Sequence, residues 1–557
     1  QNQSGTPPTG YYYGTEYTNA EEIIAAKQDY AASHATHVTG IAAGAYKGNE
    51  YYGIAPDADL VFVSYNVSDN SSSNTSITDG IKYIYDYAES VGKPCVINMS
   101  LGYHIGPHDG TSTFDRICDE LQGEGRLLVG ASGNEAEYNI HATKTLKKGD
   151  TNMKSLVEFV SNWYLYGSMT STVDIWGDAE KQLSARVFVY DILNKKEVYS
   201  SESFSTTTST SKKISNPTGA DGNIYISTAT NPYNKKGNIT IDLNLSSFDN
   251  RNYYIGFEIS GPEETTINAW TDAYMSWLSN FGNSEFTNGD NNSTMGEIGG
   301  TGKRIITVGA YTSCNYIDHK NSSMWNNSGQ TLNQLVSFSS LGPTADGRMK
   351  PDITAPGSML ISSFNSSTSS NRNGEDYNYV VKQENVNTVN YYYGSMEGTS
   401  MATPVVTGVL ATWLQANPKL TPEQVREILS NTATTDSYTG NIAGVGNNRW
   451  GYGKINAYDG LVYCLNHSGI EQIGTPTRPM VYPNPATDIC YFLLQNDDKN
   501  VNVSIYTLNG TEIYSRYMGN INAGEQNQLD LSDLAAGIYF IHITGDKTNM
   551  TTKLTVK

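Results

Sequence analysis

Apolar runs alternate with stretches of helical character near the start of this sequence, and this alternation limits the fold more than any other feature. Runs typical of buried strands lie at 59–65, Cys95–Met99 and 126–130. The stretches between them, at 75–91 and 113–123, fit helices. Strands that alternate with helices along a chain predict a parallel sheet with helices on both faces, the doubly wound α/β class.

Small and polar residues follow two of these predicted strands. Ser100, Leu101 and Gly102 come directly after Cys95–Met99, and Asn134 comes shortly after the strand at 126–130. In sheets of this class, ligands bind beyond the carboxyl ends of the strands. We therefore expect Gly102 and Asn134 to lie at the edge of the sheet where a functional site would form.

A serine stands at the predicted start of a buried helix late in the chain. Ser400 lies in Gly-Thr-Ser-Met-Ala-Thr-Pro, apolar residues recur at helical spacing as far as Leu414, and Asn417-Pro418 ends the helix. Unpaired N–H groups and the positive end of the helix dipole meet at such a start. A serine there can attack a carbonyl group whose developing negative oxygen finds donors. Alternatively, Ser400 only caps the helix, since serine is a favoured N-cap residue.

Two histidines lie three residues apart at the start of another predicted helix, for which Ser33 is a suitable cap. His34 and His37 share one helical face. Metal ligation is disfavoured, because no carboxylate or third histidine stands at metalloprotease spacing. Two interpretations remain: the histidines pack in the interior, or His34 is a general base.

The composition and the periodicity of the sequence change between residues 142 and 270, where serine and threonine dominate and helical patterns are scarce. Strand-like runs separated by Gly, Asn and Pro occur at 155–164, 171–175, 185–191, 239–245 and 253–259. This pattern predicts an inserted β-sandwich at 142–270. The α/β pattern then returns, so residues 1–141 and 271–466 together form the first domain.

A linker rich in Gly, Pro and Thr at 467–480 precedes the last domain. Short alternating strands are predicted at 491–494, 501–506, 511–514, 538–543 and 551–556. Residues 481–557 are therefore expected to form a small independent β-sandwich of the Ig-like type.

The bulk composition excludes several functions. A net charge of −20 without a basic patch argues against a nucleic-acid partner, and no run of 18 apolar residues is present to span a membrane. The five cysteines are widely spaced, so neither a zinc site nor a disulfide framework is indicated, although one or two bridges remain open. We expect no required cofactor and no metal site. Structural calcium is compatible with the acidity, but no Asp-x-Asp-x-Asp-Gly loop indicates it.

Taken together, the motifs resemble those of subtilisin-like serine proteases, the subtilase family. The segments at 34–40, 131–135 and 398–404 are similar to the family's histidine, oxyanion and nucleophile blocks, and they occur in the family's order. The segments at 336–343 and 350–357 match supporting stretches of the family.

The resemblance implies a role for each matched residue. His34 would be the general base, Ser400 the nucleophile and Asn134 the side-chain donor to the oxyanion. Ser100, Leu101 and Gly102 would bind an extended substrate and line its pockets. The implied reaction is hydrolysis of a peptide bond through an acyl-enzyme, with a protein or peptide as substrate.

The resemblance extends to the other two domains. The insert near Asn134 and the segment at 5–10 are similar to clostridial Csp-type subtilases, which carry a jelly-roll domain inside the catalytic domain. Tyr-Pro-Asn-Pro at 482–485 and Leu-Ala-Ala-Gly-Ile-Tyr at 534–539 resemble the type A sorting domain of the type IX secretion system. An ordinary adhesion-type sandwich is the alternative. The implied location is outside the cell or on its surface.

One member of the family's catalytic triad has no match here. Subtilases place the orienting aspartate before the histidine, yet the aspartate before His34 in this sequence, Asp29, is five residues away in a polar helical context. We do not assign Asp29. We expect the aspartate strand upstream of Gln1, on a fragment that is cleaved off and stays bound as a separate chain. Ala35 also replaces a family glycine, and Leu341 replaces a family arginine.

Three functions compete at this point. The first is a secreted endopeptidase that acts through Ser400 once its aspartate is present. The second is a pseudoprotease or a non-catalytic surface binding protein, which Ala35 and the unassigned aspartate favour. The third, a lipase or esterase, is disfavoured because no Gly-x-Ser-x-Gly elbow surrounds Ser400.

Overall fold

A computed structural model describes most of the chain. The described residues are 5–26, 33–45, 50–65, 73–160, 169–215, 221–246, 248–272, 275–365, 375–386, 388–467, 480–494, 496–507 and 511–557. The chain divides into two compact units, Gln1–Leu465 and Asn466–Lys557.

The helices, in chain order, are α1 (Ala20–Ala26), α2 (His34–Ala43), α3 (Ser73–Ser90), α4 (Thr113–Leu121), the single irregular turn α5 (Glu297–Gly300), α6 (Glu375–Asn378), α7 (Thr399–Ala416), α8 (Pro422–Thr432) and α9 (Ala457–His467). The strands of the first unit are β1 (Cys95–Met99), β2 (Arg126–Ala131), β3 (His141–Thr145), β4 (Asn152–Phe159), β5 (Met169–Ala179), β6 (Ser184–Asp191), β7 (Lys196–Ser200), β8 (Phe204–Ser205), β9 (Thr210–Ser215), β10 (Asp221–Thr230), β11 (Lys236–Ser246), β12 (Tyr253–Ser260), β13 (Thr266–Thr271), β14 (Ser276–Ser279), β15 (Ile306–Tyr311), β16 (Ile353–Pro356), β17 (Leu360–Phe364), β18 (Val380–Val386) and β19 (Val389–Met396). The second unit contains β20 (Met480–Tyr482), β21 (Ile489–Leu493), β22 (Asp498–Thr507), β23 (Glu512–Ile521), β24 (Asn527–Asp530), β25 (Gly537–Thr544) and β26 (Asn549–Val556).

A four-stranded parallel sheet in the order β1-β2-β15-β16 forms the centre of the first unit. Successive side chains of β2 point to opposite faces of this sheet. Leu127 and Val129 pack with Val406 and Leu410 of α7, whereas Leu128 packs on the other side with α3 and α4. Helices therefore cover both faces, and the predicted doubly wound α/β class is confirmed.

Residues 59–65 do not form a strand, so that prediction was wrong. The run is as apolar as β1, but a strand also needs a hydrogen-bonded neighbour, and no described strand pairs with it. Leu60 and Phe62 are exposed at 49% and 66%. The sequence also favours a short helix over residues 21–32; α1 covers Ala20–Ala26, and residues 27–32 lie outside the described residues.

Two antiparallel sheets interrupt the α/β part of the chain. One has the order β3-β13-β5-β11-β10-β9 and the other β14-β4-β12-β6-β7, and their inner faces share one apolar core that includes Val173, Ile241, Val187 and Phe257. The sheets run from His141 to Ser279, which passes the predicted end at residue 270, because the short strand β14 pairs with β4. Jelly-roll connectivity stays a prediction.

The second unit contains two small antiparallel sheets, β20-β21-β24 and β23-β22-β25-β26. Phe492 and Leu529 of the first sheet pack against Val503 and Ile541 of the second. All five strands predicted in this region occur, with ends that shift by a few residues.

No described helix is long and apolar enough to cross a membrane. The five cysteines, all of which lie in the described residues, form no disulfide.

A buried ion cluster connects the central sheet to α8. Lys350 Nζ and Arg426 Nε donate to the two carboxylate oxygens of Asp352 at 2.7 and 2.8 Å. The N–H of Thr307 in β15 also donates to Asp352, at 2.7 Å. Burial alone would raise the pKa of Asp352, but the charges of Arg426 and Lys350 outweigh burial and hold this pKa at about 2.

Asp352→Asn should lower the free energy of unfolding at pH 7 by about 3–5 kcal/mol, because Arg426 and Lys350 stay buried without a charged partner. The folded pKa of Asp352 lies below its unfolded value of 3.8. Its contribution is therefore present above the unfolded pKa and is lost as the pH falls towards about 2. Urea denaturation at several pH values measures both effects.

The matched control is Glu423→Gln on the same helix, whose carboxylate forms an exposed pair with Arg304. This change should cost about 1 kcal/mol or less. An Asp352→Asn protein as stable as the control would contradict the assignment of the cluster.

Candidate active site

Ser400 lies in the first turn of α7, but it does not cap that helix. The N-cap is Gly398, and Ser400 is the second residue of the helix. Gly398 has a φ of +147°, which side-chain-bearing residues rarely adopt. Its N–H donates to Gly357 O at 2.8 Å, which fixes the entry into the helix. The capping interpretation of Ser400 was therefore wrong, and its half-buried hydroxyl is left for another role.

Asn134, just beyond the end of β2, is hydrogen-bonded to the start of α7. Its Oδ1 accepts from the backbone N–H of Thr399 at 2.9 Å and from Thr399 Oγ1 at 3.0 Å. Because the amide oxygen is occupied in this way, Nδ2 is the free end of the side chain. Within the described residues, neither Asn134 Nδ2 nor the Ser400 N–H has a protein acceptor. The two groups are thus available as donors at the same helix start.

The buried carboxylate of Glu135 fixes the loop that carries Asn134. Glu135 Oε2 accepts from the Asn134 N–H at 2.5 Å and from Ser340 Oγ at 2.9 Å. His104 Nε2 lies 3.4 Å from the same oxygen. Ser340 belongs to the stretch at 336–343 that the sequence matched to a supporting segment. These bonds set the backbone angle from which the Asn134 side chain leaves the loop.

Ser100 connects the end of β1 to the nucleophile segment. Its Oγ donates to the carbonyl oxygen of Ser400 at 2.8 Å and accepts from Asn98 Nδ2 at 3.0 Å. Leu101 is half-buried and packs against the core under β1. Gly102 is exposed, and a Cβ at that position would meet no atom within 4 Å. Of the three predicted substrate-binding residues, Ser100 therefore contacts Ser400, and Gly102 offers an open backbone two residues later.

The two histidines of α2 have different surroundings. His37 is fully buried, and its Nε2 lies 3.0 Å from Leu360 O and 3.1 Å from Gly394 O. Burial lowers the pKa of His37 to about 4, so it is a neutral packing residue. His34 is the first residue of α2 and is exposed, although desolvation by the surrounding protein lowers its pKa below the usual value.

Helix α2 packs against the start of α7. Val38 and Ile41 contact Met401, the residue after Ser400. Val38 lies one turn after His34 on the same helical face, so the first turns of the two helices are neighbours. No hydrogen bond joins His34 to Ser400 in the described part of the chain.

The orienting carboxylate is not among the described residues that contact His34. No described carboxylate hydrogen-bonds to its ring, and Asp29 lies outside the described residues. Ala35 is exposed on α2, so its methyl group does not crowd the histidine turn. Leu341, in place of the family arginine, is buried, and its N–H donates to Thr294 Oγ1 at 2.9 Å.

Sequence reasoning placed Thr399, Glu135 and Ser340 inside matched segments but assigned them no role. Two of them stand directly beside Ser400 and Asn134, so proximity in the chain was the available signal. Ser340 is 205 residues from Glu135, and nothing in the sequence pattern pairs them. No group of three or more His, Cys, Asp or Glu side chains is placed to hold a metal ion within the described ranges.

Comparison with known proteins identifies the class. The profile described as the Subtilase family matches residues 11–258 and 204–453, which together cover more than half of the chain. The chain therefore belongs to the subtilase family of serine proteases. A second profile, the Secretion system C-terminal sorting domain, matches residues 480–557. The chain thus carries a sorting domain for type IX secretion to the cell surface or the exterior.

Individual relatives match shorter stretches. Serine protease AprX of Bacillus subtilis (strain 168) is 36% identical over 158 residues, which are 28% of this chain and 30% of AprX. Subtilisin of Bacillus sp. (strain TA39) is 34% identical over 126 residues, 22% of this chain and 28% of that protein. The solved structure of the Clostridium perfringens CspB protease aligns with a TM-score of 0.58 and 19% identity over 81% of this chain and 84% of CspB. That similarity shows a shared fold.

Thr399→Val should lower kcat by about tenfold, because Asn134 Oδ1 then keeps one hydrogen bond instead of two and its amide is less firmly oriented. The measurement is steady-state hydrolysis of a peptide substrate. The control is Thr403→Val one turn along α7, where Oγ1 bonds only to Thr399 O. It should change kcat by less than about threefold. Equal effects of the two substitutions would contradict the role given to Thr399.

Proposed function

We propose that this chain is a secreted endopeptidase that hydrolyses peptide bonds through an acyl-enzyme on Ser400. The observation that carries the proposal is the start of α7. There the Asn134 amide and the Ser400 N–H converge beside a serine that does not cap its helix. Converging donors next to a nucleophile are what a tetrahedral oxyanion requires.

In the proposed reaction, Ser400 Oγ attacks the scissile carbonyl carbon while His34 accepts the hydroxyl proton. Asn134 Nδ2 and the Ser400 N–H donate to the oxyanion of the tetrahedral intermediate. His34 then returns the proton to the leaving amine, and the C–N bond breaks to give the acyl-enzyme. Water repeats these steps on the ester and releases the acid. The lowered pKa of His34 keeps its ring neutral, as a base must be.

The substrate would lie extended along Ser100, Leu101 and Gly102. Exposed backbone at a strand end can pair with a peptide as an added strand. The absence of a side chain at Gly102 leaves room for that peptide.

The outer edge of β1 bears on where the carboxylate that would orient His34 comes from. β1 pairs with β2, and no described strand covers its other edge. Residues 59–65 run beside that edge without pairing: Asp59 forms an ion pair with Lys93 just before β1, and Tyr65 packs in the core that contains Met99. We infer that the two segments run in the same direction and flank a gap at this edge of the sheet.

Helix α3 packs against both sides of this gap. Ile81 and Tyr85 pack with Ile97 of β1, and the absence of a side chain at Gly80 lets the helix approach Val63, whose Cγ1 would lie 2.8 Å from a Cβ there. We infer that one extended segment, parallel to β1 and carrying an aspartate at its carboxyl end, fills the gap. Its carboxylate would reach the sheet edge where His34 stands. The cleaved fragment expected upstream of Gln1 is the proposed source.

Asn134→Ala should lower kcat for a peptide substrate by about 10²–10³, a loss known from a subtilisin that lacks this donor. KM should change little, because the bond forms in the transition state. The protein to use is a form extended upstream of Gln1, with Asn139→Ala as the surface control. A form with no turnover before or after substitution would favour the second hypothesis, a pseudoprotease or binding protein.

Phe62→Lys should lower kcat of the extended form at least about tenfold, because a charge beside the gap disfavours the apolar segment. Leu193→Lys, at a position that is 75% exposed in the insert, is the matched control and should have no effect.

Asp29→Asn should leave kcat of the extended form unchanged. The extended form should exceed the form that begins at Gln1 by up to about 10⁴ in kcat. Loss of activity in Asp29→Asn would assign the carboxylate to Asp29 and overturn the gap proposal.

A further inference from the structure

The loop at 103–111 continues directly from the proposed substrate-binding residues and is enclosed by the protein. It contains neither helix nor strand, yet His104 and every residue from Gly106 to Gly110 are buried. Gly106 has a φ of +148°, and a Cβ there would lie 2.5 Å from Glu297 Cδ. A loop with this geometry keeps its conformation only where neighbouring groups hold it.

The catalytic part of the chain holds one side of the loop. The Glu297 N–H donates to Tyr103 O at 2.6 Å, and Glu297 Oε2 accepts from the His108 N–H at 2.7 Å. The His108 ring lies between Met295 O and His104 O, at 2.9 and 3.0 Å from its two nitrogens. Apart from His104 O, which belongs to the loop itself, these partners are Glu297 of α5 and the nearby Met295.

The inserted sheets hold the other side. Asp174 Oδ2 of β5 accepts from the Gly106 N–H at 2.8 Å. Lys236 Nζ of β11 pairs with Asp109 Oδ2 at 2.6 Å. The Trp270 ring of β13 stacks on the His108 ring with centroids 4.1 Å apart. Three strands of one inserted sheet therefore contact three successive parts of the loop.

The buried carboxylate of Asp174 is fully hydrogen-bonded when it accepts from the Gly106 N–H. It is 1% exposed, and each of its neighbours is a donor: Trp176 Nε1 and Gly106 N to Oδ2, and Asn238 Nδ2 and Thr240 Oγ1 to Oδ1. A carboxylate buried among four donors is satisfied only while all four remain in place. The Gly106 N–H, in turn, has no other acceptor in the described chain.

We propose that Asp174, with Lys236 and Trp270, is a positioning residue for the substrate-binding strand: the insert fixes the loop after Gly102 and so aligns the backbone that pairs with an extended peptide. This inference rests on the proposed endopeptidase function. Pairing an added strand requires backbone N–H and C=O groups at fixed spacing. Gly102 is four residues from Gly106, so freedom at Gly106 reaches the pairing edge.

The test separates binding of an extended peptide from chemistry at Ser400. Asp174→Ala should raise KM for a hexapeptide substrate about tenfold. The rate at which a small fluorophosphonate labels Ser400 should stay within twofold, because that probe needs no strand pairing. Asp174→Asn should recover most of the affinity, because its amide oxygen can accept from Gly106 while Asn238 turns to accept from its NH2 group. Lys236→Met removes the ion pair with Asp109 at the edge of the contact. It should also raise KM, and it leaves no buried cavity in the insert.

The control is Asp242→Ala on β11 of the same sheet, whose carboxylate accepts from Thr172 Oγ1 and not from the loop. It should leave KM unchanged. Hydrogen exchange gives a readout that does not depend on catalysis: Asp174→Ala should speed exchange of the Gly106 and His108 amides at least tenfold, and Asp242→Ala should not. Slow exchange in Asp174→Ala, or an equal loss of labelling and peptide affinity, would overturn the proposal. If exchange is fast in Asp174→Ala but the fluorophosphonate never labels the wild-type protein, the proposed function is refuted. The contact between Asp174 and the loop is then still supported.

Discussion

The fixed first turn of α7 is the constraint on which the rest of the site depends. Thr399 bonds to Asn134 beyond β2, and the carbonyl of Ser400 bonds to Ser100 beyond β1. Both contacts exist because α7 packs its apolar face on the parallel sheet and so brings its N-terminus to the carboxyl ends of those strands. A helix start carries N–H groups that its own turns cannot satisfy. Here one of them orients the amide of Asn134, and the next remains available beside Ser400.

Sequence patterns predicted the elements that depend on local composition. β1 occurs at the residues expected, and α7 ends at Ala416, directly before the predicted stop at Asn417-Pro418. The apolar run at 59–65 has the same character as β1, but whether it pairs depends on a neighbour that composition cannot reveal. Sequence patterns also could not predict contacts between distant residues. Gly106 and Asp174 are 68 residues apart, in parts of the chain that differ in composition.

β1 connects the two proposed features of the site. On one side, no described strand covers the outer edge of β1, which exposed apolar residues flank, and a segment with a carboxylate would complete the sheet there. On the other side, the loop after Gly102 is enclosed between Glu297 and the inserted sheet. An endopeptidase assembled in this way would have a rigid substrate edge from the insert and a catalytic base whose orientation depends on a second segment. Activity could then be set by whether that segment is present.

The central claim is that Ser400 is the nucleophile. The most direct measurement is to react the protein extended upstream of Gln1 with a fluorophosphonate and to locate the modified residue by peptide mass spectrometry. The account predicts one covalent adduct, on the peptide that contains Ser400, and none in Ser400→Ala. An adduct on another residue, or none on a folded protein with the upstream segment bound, would contradict it.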